Sequence, residues 1–525
     1  MADNKTSKNA VILQPAKPKK GRRASAVLKP AVRATPKVAP IQKLASTARL
    51  TSKQRAVSQT LPSDQKLALR EREAARIYAT GIEQHKNNNL NAAIESYGKS
   101  LILNPKTPEV YNNMGAALRG TGKLEAAVAC YRCCLIIRPN HPGVYSNIGN
   151  AYRELGSLQL SIESHQRAVE LAPNDASTHY NLGLALRDFG HTEQSLSAFE
   201  TALRLDPNHV ECRWDRSLTL LALGDYARGF EEFEWRWKLA RTPKRALTTP
   251  EWDGAKLKGK TVLIYQEQGI GDMIQFARYI PLVKEQGVNV VVECQPELAS
   301  LMSTVPGIDK VINVGSALPK YDCHIAMMSL ARVFKTTLET LPNKTPYMGP
   351  PEGVSIQLPT SMDHQRQIGI AWARRPTHTN DINRSCDFKY FIELLGVPGV
   401  SVYSLQKGLY EADIKENGCS ALVIEMGSRL NDFADTTALI QQLDLVITVD
   451  TAVAHLAGAM GKPVWVVLPF AADWRWMVET SESPWYPSMR LFRQRQPGNW
   501  KQVFIDIREA LCEDLNLSEL KPISL

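Results

Sequence analysis

The feature that most constrains this chain is a period of 34 residues between about Glu73 and Pro243. Prolines fall in that step at Pro105, Pro139, Pro173 and Pro207. Glycines recur with it at Gly81, Gly115, Gly149 and Gly183, and again at Gly122, Gly156, Gly190 and Gly224. Tyr97, Tyr131, His165 and Phe199 keep a comparable place. Four independent markers sharing one period make a chance origin improbable. A unit of this length cannot bury its apolar face alone, so neighbouring units must stack.

The period and its punctuation resemble the tetratricopeptide pattern: two antiparallel helices per unit, small residues at their contact, and proline ending the second helix. About five units fit into residues 66–243. Such a stack coils into a superhelix with a concave inner face, and most of its apolar residues are core. The informative positions are polar ones in register. Asn113, Asn147 and Asn181 form such a set, two residues before the repeated glycine, and Asp215 holds the place in the fifth unit. Asparagine offers a donor and an acceptor. A column of them either clamps the backbone of an extended peptide or braces the neighbouring repeat. The column resembles the asparagine ladder of the eukaryotic protein O-GlcNAc transferases, and an array of this kind is expected to bind a protein. Cys130, Cys133 and Cys134 lack a partner histidine or second pair, which makes a poor zinc arrangement and favours buried small residues.

The net charge of +10 belongs to the N-terminus. Residues 1–60 carry fourteen Lys or Arg against Asp3, and the other 465 residues sum to −3. A basic pI would suggest nucleic acid, but the folded body is slightly acidic. Residues 1–65 are expected to be a disordered basic tail, since they lack Trp, Tyr and Phe and cannot bury enough apolar surface to fold. The tail is either an arm for an anionic partner or a solvated extension. Its prolines oppose an organellar transit helix. No run approaches the roughly 18 apolar residues of a membrane span, and no signal-peptide pattern opens the chain. The expectation is a soluble, cytoplasmic protein. Nine cysteines are too few for a disulfide scaffold.

Past residue 244 the period gives way to short apolar runs alternating with helical stretches. Thr261–Tyr265 and Val288–Glu293 read as buried parallel strands flanking a helix over Ile274–Glu285, with weaker strands at Lys310–Val314 and Tyr321–Ala326. A second set comprises Ile368–Trp372, Val400–Leu405, Leu445–Val449 and Val464–Leu468. Two blocks of strand-helix alternation predict two doubly wound lobes, about 244–350 and 365–525. The fold class is thus α plus α/β: tail, all-α superhelix and a C-terminal pair of Rossmann-like lobes. Ligands of such lobes sit at the carboxyl ends of the strands.

Four motifs follow strands. In Gln266–Asp272 the glycines Gly269 and Gly271 permit a tight turn, and Asp272 lies near a helix N-terminus, either as a cap or as a base for an acceptor hydroxyl. In Thr448–His455, Thr451 and Ala452 offer first-turn N–H groups to a diphosphate. Asp450 either caps the helix or holds a ribose hydroxyl, and His455 is either a phosphate donor or structural. Gln406 and Lys407 end another strand, with Lys407 a phosphate cation. The polar loop containing His378, Asn380, Asp381 and Arg384 suits a sugar or phosphate, or is merely solvated. No Walker lysine-serine motif and no full Gly-x-Gly-x-x-Gly is present, which disfavours ATPases and dehydrogenases.

Gly271-Asp272 followed late in the chain by Asp450-Thr451-Ala452 and His455 resembles the bacterial heptosyltransferases of glycosyltransferase family nine, over roughly Thr261 to Leu511. The strings Pro469–Trp476 and Ser483–Tyr486 resemble the subset fused to tetratricopeptide repeats, including bacterial flagellin glycosyltransferases. The resemblance implies the two-lobed GT-B fold and inverting, metal-independent transfer from a nucleotide-sugar. It also implies Asp272 as general base and a donor-binding set of Gly269, Gly271, Asp450, Thr451, Ala452 and His455. Gln406 and Lys407 resemble a donor-phosphate pair of the O-GlcNAc enzymes. Flagellin is the implied acceptor and a nonulosonic acid such as pseudaminic acid, on a cytidine nucleotide, the implied donor sugar. Ala452, where the family usually keeps glycine, and Arg374-Arg375-Pro376 depart from the pattern and count against a heptose donor. The alternatives are a lipopolysaccharide heptosyltransferase-like enzyme and a non-catalytic scaffold or chaperone for a secreted protein.

Overall fold

The computed structural model describes residues 62–242, 244–359, 366–374 and 385–517. Nearly all of the basic tail, and the whole loop with His378, Asn380, Asp381 and Arg384, lie outside the described residues. Among the described residues no helix is long and apolar enough to cross a membrane.

The repeats form five helix pairs: α1 (Ser63–Lys86) with α2 (Leu90–Leu103), α3 (Pro108–Gly120) with α4 (Leu124–Ile137), α5 (Pro142–Glu154) with α6 (Leu158–Leu171), α7 (Ala176–Asp188) with α8 (Thr192–Leu205), and α9 (Val210–Ala222) with α10 (Tyr226–Phe233). Two of the periodic markers prove to be one contact. A Cβ on Gly183 would fall 2.5 Å from the Phe199 ring, and one on Gly81, Gly115 or Gly149 would fall 2.6 Å from the ring of Tyr97, Tyr131 or His165. Each ring therefore lies on the bare backbone of the partner helix. The second glycine set turns the chain within a pair. Gly122, Gly156, Gly190 and Gly224 have φ between 73° and 84°, and Asn88 holds that left-handed place in the first pair with φ 60°.

Packing divides the chain between Pro207 and Asn208. The first unit holds the first four helix pairs, with apolar clusters such as Tyr131, Val144 and Ile148 between neighbours. The second unit holds the fifth pair together with the α/β body. One core runs from Leu221, Tyr226, Phe230 and Phe233 of the fifth pair through Val262 and Ile264 to Val446 and Val466. Tyr226 lies 5.6 Å from Trp485, and Phe230 lies 5.9 Å from Trp474, ring centroid to ring centroid.

The body contains two all-parallel sheets. The first comprises β1 (Thr261–Tyr265), β2 (Asn289–Cys294), β3 (Lys310–Asn313) and β4 (Cys323–Ala326), in the order β3-β2-β1-β4. The second comprises β5 (Arg366–Ala371), β6 (Val400–Ser404), β7 (Val423–Glu425), β8 (Leu445–Val449), β9 (Val464–Leu468) and β10 (Met489–Arg493), in the order β10-β9-β8-β5-β6-β7. The chain reverses its direction of winding between β1 and β4 and between β5 and β8, the places where open parallel sheets hold ligands. The helix expected at Ile274–Glu285 instead begins at Ile270. It passes through a 3-10 turn, Ala277–Tyr279, before Ile280–Lys284, because Pro281 has no N–H to continue the first segment's ladder.

A buried ion cluster fixes the fifth pair on the first lobe. Arg236, just past α10, is 1% exposed and donates to both Glu267 oxygens, at 2.7 and 2.9 Å. It also donates to Glu234 at 2.7 Å and to the Ser329 hydroxyl at 2.7 Å. Glu267 further accepts from the Met328 N–H at 2.9 Å.

His165 supplies a test of the first unit. Neither ring nitrogen has a hydrogen-bond partner, and burial lowers its pKa from 6.5 to about 3. The unfolded chain therefore binds the proton first. Stability is fully present above pH 6.5 and falls as pH drops toward about 3, at a limiting slope of about 1.4 kcal/mol per pH unit. His165→Phe, which copies Phe199, should flatten that acid limb in urea unfolding followed by far-UV circular dichroism. An unchanged slope would place the protonation elsewhere.

Candidate active site

The Gln266–Asp272 turn leaves the end of β1, with Gln268 in the left-handed region at φ 56°. It runs into the helix Ile270–Phe276, whose third residue is Asp272. Asp272 does cap the turn: its Oδ2 accepts from the Gly269 N–H at 2.7 Å. Its Oδ1 accepts from Arg475 Nη2, a residue of the other lobe.

Arg475 sits in the 3-10 turn Trp474–Trp476 that follows β9, with its side chain 8% exposed. Nε donates to Gln275 Oε1 at 2.8 Å, and Nη1 donates to Asp473 Oδ1 at 2.7 Å. Burial opposes its charge, but Asp272 and Asp473 outweigh burial and raise its pKa. Arg278, another buried cation of the first lobe, donates to the Trp485 carbonyl of the second at 2.5 Å and to the Tyr347 hydroxyl at 3.1 Å. The lobes thus meet through guanidinium groups as well as through apolar core.

The facing element is the helix Ala452–Ala459, entered from β8 through Asp450 and Thr451. Thr451 is extended at φ −134° and does not cap the helix with its side chain; its hydroxyl lies 3.0 Å from that of Thr448. Asp450 is 2% exposed, with Oδ2 3.8 Å from Arg374 Nη1. His455 is buried, with Nδ1 3.0 Å from the Tyr486 hydroxyl and its ring stacked on Trp476 at 5.2 Å. Burial first, and then the Arg475 charge, hold its pKa well below 6.5, so the imidazole is neutral at neutral pH. The two helices touch where Gly271 lacks a side chain. A Cβ there would lie 2.9 Å from His455 Cδ2 and 3.6 Å from the Ala452 Cα.

Seven of the expected residues, Gly269, Gly271, Asp272, Asp450, Thr451, Ala452 and His455, therefore line two strand ends that face each other. Gln406 and Lys407 follow β6 with their side chains engaged by backbone. Gln406 Oε1 accepts from Trp372 N–H at 3.1 Å and Ala373 N–H at 3.0 Å, and its Nε2 donates to the Ala373 carbonyl at 3.1 Å. Lys407 donates to the Leu430 and Asn431 carbonyls. In the first unit Asn113 donates to the Tyr78 hydroxyl at 2.7 Å and Asn147 donates to Asn112 at 2.9 Å. Both side chains thus brace the preceding repeat, while Asn181 is half-buried. Sequence reasoning missed Arg475, Gln275 and Tyr486. The available signal was an arginine between two tryptophans in Asp473–Trp476, a charge placed where only a buried partner could tolerate it.

The close helix contact generates a prediction. Gly271→Ala should destabilise the second unit by about 1–3 kcal/mol through overpacking against His455. Adding His455→Ala should restore part of that loss in denaturant unfolding. Additive losses would show that the two positions are uncoupled.

Residues 108–141, 149–190 and 180–237 match tetratricopeptide repeat families. Residues 412–468 match glycosyltransferase family 9 (heptosyltransferase), a stretch that includes Asp450 through His455 and ends with β9. A curated relative, Protein FlbA of Caulobacter vibrioides, is 27% identical over 310 residues, covering 54% of this chain and 52% of FlbA. The chain thus spans about half the length of the curated relative it matches. Among solved structures, a crystal structure of MamA is 21% identical and covers 30% of this chain and 91% of its own, at a TM-score of 0.28. MamA of Desulfovibrio magneticus is 23% identical over 33% of this chain and 97% of its own, at 0.30. YrrB, titled a TPR protein with an unusual peptide-binding site, is 20% identical over 32% of this chain and 86% of its own, at 0.28. The chain carries tetratricopeptide repeats ahead of a region of glycosyltransferase family 9 type.

Proposed function

We propose that the chain is a GT-B protein glycosyltransferase that moves a sugar from a nucleotide-sugar to a Ser or Thr hydroxyl with inversion. The observation that carries this reading is the contact of Gly271, beside Asp272, with Ala452 and His455, each turn standing at the reversal point of its own sheet. The N–H groups opening the helix Ala452–Ala459 would hold the donor phosphate. Neutral His455 would donate a hydrogen bond there without adding a full charge. Asp272 would take the acceptor proton. Gln406 would serve indirectly, by holding the end of β5, and Lys407 would exchange a carbonyl for phosphate. A helix N-terminus with these donors performs the electrostatic work for which other transferases use a metal.

The repeats would present the acceptor. Flagellin is the acceptor we favour and a cytidine-linked nonulosonic acid the donor, both resting on the sequence resemblance to repeat-linked flagellin glycosyltransferases. The reaction would then run in the cytoplasm, with the basic tail available to an anionic partner. The lipopolysaccharide reading gives the repeats no role.

Melting the protein with CMP, UDP, GDP and ADP at millimolar concentration tests the donor site. A nucleotide at about 100 times its Kd should stabilise the fold by roughly 2.7 kcal/mol. That shift should disappear in Thr451→Trp, and the nucleotide that produces it names the donor class. Absence of a shift with all four would favour the scaffold.

A further inference from the structure

In the free protein the expected base is not at liberty to act. Both Asp272 oxygens are engaged, Oδ2 by the Gly269 N–H and Oδ1 by Arg475. The Gly269 contact closes the turn into the helix and is built into the backbone. The Arg475 contact is different, because the guanidinium is positioned without it. Nε is held by Gln275, Nη1 by Asp473, and the plane lies 4.4 Å from the Trp474 ring centroid. Only Nη2 is given to Asp272. The preceding residue, Gly271, packs within 3.6 Å, measured from its ideal Cβ position, of the Ala452 Cα at the proposed phosphate site. An anion held there would lie against the turn whose next residue, Asp272, is the partner of Arg475 Nη2.

We propose that Arg475 couples donor binding to the release of Asp272. The donor's anionic group takes the Nη2 hydrogen bond, Asp272 Oδ1 is freed, and the side chain turns to the acceptor hydroxyl. The inference rests on the glycosyl-transfer reading above. The chemical step then balances. The acceptor oxygen bonds to the anomeric carbon and its proton passes to the Asp272 carboxylate. The bond from that carbon to the phosphate oxygen breaks, and its electron pair leaves with the nucleotide, opposite the Arg475 charge. Arg475 is thus a positioning residue for Asp272 as well as an anion contact.

A double-mutant cycle read by calorimetric titration of CMP, UDP, GDP and ADP tests the proposal. The proteins are wild type, Arg475→Gln, Arg475→Lys, Asp272→Asn and the combination of Arg475→Gln with Asp272→Asn. The nucleotide that binds wild type should bind Arg475→Gln at least about tenfold more weakly, with Arg475→Lys recovering part of the loss. Asp272→Asn should bind it roughly threefold or more tightly, because Arg475 no longer leaves a carboxylate, and that gain should vanish in the Arg475→Gln background. If the gain persists there, Asp272 merely repels the nucleotide and the coupling is overturned. Equal affinity in wild type and Arg475→Gln overturns it too, while leaving the glycosyltransferase reading intact. No nucleotide binding to wild type removes both. Should Arg475→Gln fail to melt cooperatively, Arg475→Lys carries the same cycle with Asp272→Asn.

Discussion

A guanidinium in an apolar core is costly unless its charge and donors are met, and Arg236 lies in such a core. Removing either ion from water costs several kcal/mol, recovered only if geometry and hydrogen bonding are nearly complete. Glu267 meets that demand with both oxygens, and Glu234 and Ser329 meet the rest. Glu267 belongs to the Gln266–Asp272 turn, so the same contact fixes the start of the site. The fifth helix pair and the turn that carries the carboxylate proposed as base are therefore tied together by this ion pair. A repeat is ordinarily joined only to its neighbours; this pair has exchanged one neighbour for a sheet.

One packing device serves both repeats and site. In the repeats, each aromatic ring or His165 lies on a glycine of the partner helix. In the cleft, His455 lies against Gly271, and the Tyr486 ring lies against Gly458, where a Cβ would approach within 2.6 Å. Tyr486 also meets His455 Nδ1 through its hydroxyl. The helix that would bind phosphate is thus gripped twice by one side chain. The contacts on Gly271 and Gly458 need the bare backbone, which is why glycine marks them in the sequence.

What was legible follows from the range of each interaction. The repeats were plain because their contacts are local and recur. Strands β1, β8 and β9 were read to the residue, since a parallel strand buried on both faces is an unbroken apolar run. β7 has three residues and β10 alternates Met-Arg-Leu-Phe-Arg at an edge, so neither stands out. The helix expected over Ile274–Glu285 starts four residues earlier and is interrupted before Pro281, because its first turn, Ile270-Gly271-Asp272, carries no apolar run to mark it. Asp272 and Thr451 could be named from strand-to-helix positions. Arg475 could not, because its partner lies 203 positions away and no local pattern encodes that pairing. The asparagine column was legible as a column but ambiguous in role, since an amide serves a peptide or a neighbouring repeat equally well.

The cations around the cleft share a property that composition could not show. Arg475 is held by Asp272 and Asp473, Arg374 lies 3.8 Å from Asp450, and Lys407 rests on two carbonyls. Each of these three described cations already has partners, in keeping with a body whose residues past the tail sum to −3. A bare positive pocket would draw in any abundant phosphate. Here an anion would gain a cation's hydrogen bond only by displacing one already made, so a small ion that reached one cation would recover little. A donor that spans the helix N-terminus and meets several cations together replaces every contact it breaks. Discrimination would then come from the partners the cations already hold, and the acidic residues that appear to oppose a phosphate site become the source of its selectivity.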